Sequence, residues 1–313
     1  MNIVFAEPIG LTAAQKKYFF EQMSAQDHSI TYYDSIPANQ NDLLNRAKDT
    51  NILVISNYIV SEEVVKKLPN LKMIAVAFTG VDHIPLSLCK EKGIAVCNAA
   101  GYSTQAVAEL TIGVAIDLYR KITPFDGITR QNGARSGFLG NEISGKTFGI
   151  IGFGEIGVRV AKLAQAFGCK VIAWSRTAKK VQGVDFVPFD QLLQEADIVS
   201  LHIPLTDQTK GLINESKLRL MKSNAVLINT ARGPIIDYSA LSIALKDGVI
   251  AGVAIDVYEH EPPIESNHPI LNAPNTILLP HIGFATKEAI SSRSEIVLNN
   301  IKNWINGSPT NTV

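Results

Sequence analysis

Two doubly wound α/β domains are what this sequence predicts, and three observations predict them. The chain has 313 residues, more than one hydrophobic core ordinarily serves. Short β-branched runs alternate with helically spaced segments twice over, in the first hundred residues and again from Thr147 onward. A glycine string, GFGEIG (152–157), joins a strand-like run to a helix-like one in the second series.

The first series opens with Ile3–Ala6, a strand ending at Pro8-Ile9-Gly10, and continues with strands at Ile52–Ser56, Met73–Phe78 and Ile94–Val96. These runs are apolar without alternation, as strands buried on both faces should be. Helices are expected at Thr12–Met23, Asn41–Asp49, Ser61–Leu68 and Pro85–Glu91, where polar faces recur at helical spacing. Ser61 before Glu62 and Glu63 reads as a capped helix start. Residues 103–120 form a long helix apolar on most sides, which places it in the interior between the domains. The polar, glycine-containing stretch 121–145 reads as an irregular arm.

The second series predicts strands at Thr147–Ile151, Lys170–Trp174, Ile198–Leu201, Ala225–Asn229, Gly252–Ile255 and Thr276–Leu279. Helices fill the gaps, notably Ile156–Phe167 and Ser239–Asp247. A last helix, Thr286–Trp304, follows the completed series and is expected to return to the first domain. The expected division is therefore 1–100 plus 285–313 for one domain and 101–284 for a dinucleotide-binding one.

Composition narrows the function classes. The chain carries 29 basic and 29 acidic side chains, intermixed, so no nucleic-acid or anionic-membrane partner is expected. No apolar run is long enough to span a bilayer, and the N-terminus lacks the features of a signal peptide. Cys89, Cys97 and Cys169 fit neither a disulfide framework nor a zinc pattern; a reducing cytoplasm suits them. No histidine spacing suggests a metal, and His28, His260 and His268 read as surface residues.

The glycine string has the context that a dinucleotide fingerprint needs. Gly152 would make the tight turn, Gly154 would let the backbone approach a pyrophosphate, and Gly157 would let helix and strand pack closely. Glu155 and Ile156 open the helix, whose N-terminal N–H groups would face the phosphates. The next strand ends not in an acid but in Ser175-Arg176-Thr177. A guanidinium with two hydroxyls suits a 2′-phosphate, so NADP(H) is the expected cofactor, with NAD(H) possible.

Three polar residues at the ends of strand-like runs point to the reaction. Arg232 follows AVLINTA, Glu261 lies in DVYEHEPP (256–263) and His281 lies in LPHIG (279–283). A guanidinium can hold the carboxylate of a 2-oxo acid. An imidazole can give the proton that accompanies hydride, and a carboxylate can orient that imidazole. Singly, each could be an ordinary loop or strand-end residue; it is their joint occurrence that points to catalysis.

With FTGVDHI (78–84), GYSTQAVAEL (101–110), GKTFGIIGFGEIG (145–157), LHIPLTDQT (201–209), NTARG (229–233), DVYEHEPP and LPHIG in order, nearly the whole chain resembles the D-isomer-specific 2-hydroxyacid dehydrogenases, of the glyoxylate/hydroxypyruvate reductase kind. The resemblance implies two Rossmann-like domains with the active site in the cleft between them. It implies Arg232, Glu261 and His281 as catalytic residues, with Arg232 also anchoring the substrate. Thr79, Gly80 and Val81 match the loop whose N–H groups hold the substrate carboxylate. Thr104 matches a position near the nicotinamide, and Thr230, Ala231, Asp256 and Gly283 match others there. His202 and Pro204 match the adenosine side, and Thr209 matches a further cofactor-binding position.

The resemblance also implies a homodimer formed through the cofactor domain. The absence of a cation in VISNYIVS (54–61) argues against a phosphorylated substrate, and Glu261 against formate oxidation. Asn57, Tyr58 and Phe78 would meet the far end of the substrate. A phosphoglycerate dehydrogenase-like enzyme and a non-catalytic dinucleotide-binding scaffold are the alternatives. Which 2-hydroxy acid is used, and in which direction, the residues leave open.

Overall fold

The computed structural model describes residues 1–177, 180–260 and 263–313. Glu261, one of the three expected catalytic residues, lies outside them. The chain divides into two compact units, 1–103 with 286–313, and 104–285.

The smaller unit alternates strand and helix: β1 (Asn2–Phe5), α1 (Ala13–Ser24), β2 (Ser29–Tyr32), α2 (Gln40–Ala47), β3 (Ile52–Ile55), α3 (Glu62–Lys66), β4 (Met73–Val76), α4 (Leu86–Glu91) and β5 (Ala95–Cys97). Its five strands are all parallel, in the order β2-β1-β3-β4-β5. Val4, Leu53, Ile55, Ile74 and Val76 pack with Leu43 of α2, Val64 and Val65 of α3 and Leu88 of α4. Such burial stabilises by roughly 1.5–3 kcal/mol per large side chain. Helix starts are chemically fixed. Thr12 and Gln15 form a reciprocal capping box at α1, and the Ser61 hydroxyl accepts the Val64 N–H at α3. The chain's last helix, Lys287–Ile305, belongs to this unit and packs on β4.

The larger unit begins with α5 (Thr104–Arg120) and α6 (Ile122–Arg130). It continues through β6 (Thr147–Ile151), α7 (Glu155–Ala166), β7 (Lys170–Trp174), β8 (Val184–Phe186), α8 (Phe189–Glu195), β9 (Ile198–Leu201), α9 (Glu215–Leu218), β10 (Val226–Asn229), α10 (Tyr238–Lys246), β11 (Gly252–Ile255) and β12 (Thr276–Leu278). These seven strands are parallel, ordered β12-β11-β10-β9-β6-β7-β8. Alternate residues face opposite sides. Phe148, Ile150, Val171 and Ile228 pack with Ile112, Ala115 and Leu118 of α5 and Val160 and Ala164 of α7. Ile151, Val199, Leu227 and Ile255 pack with Leu192 of α8, Leu218 of α9 and Leu241 of α10. Helix α5 thus supplies part of the larger unit's own core.

Three expectations need correction. The stretch 121–145 is not irregular throughout: Ile122–Arg130 is a helix, α6, with none of its residues buried. Strands β2 and β8 were not expected. Both are short, lie at sheet edges and carry exposed polar residues, so neither has the apolar run of a buried strand. His268 is not a simple surface residue. Its side chain is 12% exposed, pairs with Glu259 at 3.0 Å and meets the rings of Tyr238 and Tyr258 edge-on.

Candidate active site and cofactor cradle

All strands of the larger sheet run the same way, so their carboxyl ends form one edge. The strand order reverses direction between β6 and β9, where doubly wound sheets bind ligands. Gly152 leaves β6 with φ +98°, and a Cβ there would lie 2.3 Å from the His202 carbonyl oxygen. A Cβ on Gly157 would lie 2.1 Å from the Gly152 carbonyl oxygen, so only glycine lets α7 start this close to the strand. Gly154, by contrast, faces open space and caps α7 with no side-chain hydrogen bond. The first N–H groups of α7 therefore have no side-chain acceptor at Gly154, beside room for an anion. Exposed Glu155 and half-buried Ile156 follow. This cradle fits a dinucleotide pyrophosphate.

At the end of β7, the Ser175 hydroxyl bonds the Thr177 carbonyl at 2.5 Å, closing a tight turn. Arg176 and Thr177 are exposed, and Arg176 makes no ion pair with another described residue. At the end of β9, His202 Nε2 and the Ser200 hydroxyl are 3.0 Å apart. Burial pushes the His202 pKa down to about 3, so its imidazole is neutral at neutral pH. Thr209 donates to the Pro204 carbonyl at 2.7 Å and accepts the Thr206 N–H at 2.8 Å. Its hydroxyl thus shapes the turn that presents Pro204.

The ends of β10, β11 and β12 are laced together. Buried Asn229 accepts the Ala231 N–H at 3.0 Å and donates to the Arg232 carbonyl at 2.9 Å. This fixes the backbone of Thr230, Ala231 and Arg232. The Arg232 guanidinium, half-buried, donates to the Ala231 carbonyl at 2.7 Å. Next in the sheet, the Asp256 N–H donates to the Asn229 carbonyl at 3.0 Å. The Asp256 carboxylate, 2% exposed, accepts the N–H groups of Ile282 and Gly283, each at 2.8 Å. Those two N–H groups follow His281, which adopts the left-handed region at φ +57°. Holding a histidine there costs of order 1 kcal/mol or more, which the Asp256 bonds offset. The His281 ring stands edge-on to Phe284, with centroids 5.4 Å apart.

The larger unit therefore brings together every described residue assigned to it, Gly152 through Gly283, along one sheet edge; Thr104 is the exception, half-buried as the first residue of α5. Within the smaller unit, Thr79, Gly80 and Val81 follow β4 in the same manner. Buried Asn98 donates to the Thr79 carbonyl at 2.8 Å and is itself backed by Asn300, which donates to the Asn98 carbonyl at 2.8 Å. Phe78 packs on Tyr102, with ring centroids 6.2 Å apart. Asn98 and Asn300 escaped sequence reading because nothing local marks a side chain whose partner is a distant main-chain group, whereas Asn229 bonds main-chain groups two and three residues on.

Comparison with known proteins agrees with this geometry. Residues 112–283 match the family model of the D-isomer specific 2-hydroxyacid dehydrogenase NAD binding domain. A glyoxylate reductase of Thermococcus litoralis is 39% identical over 285 residues, covering 87% of this chain and 86% of that protein. A glycerate dehydrogenase of Methylorubrum extorquens is 34% identical, covering 100% and 98%. An acyclic imino acid reductase solved with NADPH and D-Arg superposes with a TM-score of 0.91 at 31% identity, covering 100% of both chains. Among the described residues, no helix is long and apolar enough to cross a membrane. The chain belongs to the D-isomer specific 2-hydroxyacid dehydrogenase family, NAD(P)-dependent oxidoreductases that act on CH–OH groups.

Proposed function

We propose that this chain reduces an unphosphorylated 2-oxo acid of the glyoxylate/hydroxypyruvate class and prefers NADPH. The observation that carries the reading is the laced edge of β10, β11 and β12, which sets Arg232 and His281 on either side of the buried Asp256 clamp. Arg232 would bind and orient the substrate carboxylate and polarise its carbonyl. His281 would give a proton to the substrate oxygen during reduction and accept it during oxidation. Glu261 would pair with that imidazole and favour its protonated form. The nicotinamide supplies or accepts hydride at the substrate's C2; the protein supplies position and field.

The cofactor preference rests on Arg176, an exposed guanidinium beside the Ser175 and Thr177 hydroxyls where a carboxylate would repel a 2′-phosphate. Residues 1–103 with 286–313 are assigned the substrate's part, through the N–H groups of Thr79, Gly80 and Val81. The three buried free thiols suit a cytoplasmic protein. The reading extends to a homodimer through the larger unit. Exposed Ile122, Ile128 and Leu139 lie on α6 and the segment after it, where a groove of about 620 Å³ is lined by Ile116, Phe125 and Phe138.

Steady-state kinetics with NADPH and NADH on glyoxylate, hydroxypyruvate and 3-phosphohydroxypyruvate test the reading. Turnover of the first two with NADPH favoured is expected. Arg176→Ala should lower the NADPH/NADH ratio of kcat/KM about tenfold, the worth of one charge-assisted contact. Strong NADH preference, or a ratio indifferent to Arg176→Ala, would refute the cofactor assignment. Turnover of the phosphorylated acid alone would refute the substrate class.

A further inference from the structure

The loops after β1, β3 and β4 leave neighbouring strands of the smaller sheet at its carboxyl edge. The middle loop, 56–61, has its main chain fastened by two side chains from outside it. Glu7, 2% exposed, uses one carboxylate oxygen to accept the N–H of Ser56 at 2.7 Å and of Tyr58 at 3.0 Å. The Gln40 amide donates to the Ile59 carbonyl at 2.7 Å and accepts the Ser61 N–H at 3.1 Å. The backbone is fixed, yet Asn57 and Ile59 are exposed, and Tyr58 is half-buried.

The post that holds the loop is itself held. Arg293, 6% exposed on the last helix, donates to the Ile9 carbonyl at 3.0 Å, and the Ser294 hydroxyl bonds the same oxygen at 3.1 Å. Loop 6–10 is thereby pinned to that helix. Burying a carboxylate is costly, and here burial raises the Glu7 pKa against the pull of its backbone bonds and of Arg293. An apolar residue would fill the space at less cost. What the carboxylate adds is a strong acceptor for the N–H groups on either side of Asn57.

We infer that Glu7 is a specificity-determining positioning residue: its carboxylate oxygen sets the path of Ser56–Tyr58, and so which 2-oxo acid side chains Asn57 and Tyr58 admit. This rests on the reading that these two residues meet the substrate's far end. Glu7 touches no substrate; it acts through the turn.

Two substitutions separate reach from charge. Glu7→Asp keeps the charge but withdraws the oxygen by one methylene, whereas Glu7→Gln keeps the oxygen and loses the charge. The readout is KM and kcat on glyoxylate, which has no side chain, and on 2-oxo-4-methylpentanoate, with Asn57→Ala as control. Glu7→Asp should shift the ratio of the two KM values about tenfold, and Glu7→Gln should restore it to within about threefold of wild type. Equal KM changes on both acids, or a ratio that follows charge and not reach, would overturn the proposal. A ratio moved by Asn57→Ala but not by Glu7→Asp would sink the positioning role and leave the substrate contact standing. Were neither variant to move it, the contact would fail and take the proposal with it. A wild type inactive on both acids would sink the functional reading itself, together with this one.

Discussion

The two sheets in this chain end in loops of different kinds. At the edge of the seven-stranded sheet, the groups assigned to chemistry are side chains: Arg232 and His281 stand just past strand ends. At the edge of the five-stranded sheet they are the main-chain N–H groups of Thr79–Val81, on a loop whose Thr79 carbonyl is held by Asn98, with Asn57 and Tyr58 presented by a turn that Glu7 holds. The difference teaches where mutational damage should concentrate. Removing a side chain that carries charge removes the interaction itself. Loosening a loop leaves its N–H groups in place but less well aimed.

Arg232→Ala should be the severest break on the side-chain edge. With its Asn229-held backbone intact, only the guanidinium is lost, and kcat/KM should fall by about a thousandfold or more while folding is retained. Steady-state kinetics alongside thermal unfolding would separate the two, and near wild-type kcat/KM would remove Arg232 from the site.

Asn98→Ala is the matching break on the main-chain edge, and the smaller one expected. It leaves the Thr79 carbonyl without its 2.8 Å donor. KM for the 2-oxo acid should rise roughly fivefold with kcat changed less, since one neutral hydrogen bond is worth about 1 kcal/mol. A collapse of kcat comparable with that of Arg232→Ala would erase the contrast between the edges.

His202 offers the mildest test, through pH. Its pKa drops to about 3 in the native state from an ordinary 6.5. The unfolded chain therefore takes up a proton as pH falls below 6.5, and the native chain does not until about 3. Stability from this group is full above pH 6.5 and is lost as pH falls toward 3, at up to roughly 1.4 kcal/mol per unit. Denaturant unfolding at several pH values should show His202→Gln with a shallower acid decline than wild type. Identical slopes would mean that His202 does not titrate as its burial implies.

Legibility in the sequence followed burial and locality. Strands β3, β4, β9 and β10 were readable because every one of their residues is buried, which leaves runs apolar but for Ser200 in β9 and Asn229 in β10. Edge strands β2 and β8 left no such run. Helix α6 was overlooked because Pro124 and Gly127 lie inside it and none of its residues is buried, so its apolar positions Ile122, Phe125 and Ile128 mark no core face. The glycine string was readable because its partners are local: Gly157 meets Gly152 within one turn. Glu7 was not, because the N–H groups that it holds lie 49 and 51 residues away.

The sequence by itself determined the two α/β series, the dinucleotide fingerprint and the types of polar residue available to a 2-oxo acid. Those follow from periodicity and from chemistry that neighbouring residues share. Only the tertiary structure decided which carboxylates and amides are spent on fixing distant backbone: Asp256 on the turn after His281, Asn98 on Thr79 and Glu7 on Ser56–Tyr58. The physical reason is that a parallel sheet gathers strand ends from distant parts of the chain onto one edge. A buried side chain there satisfies whichever main-chain group the fold sets beside it, and no local pattern encodes that neighbour.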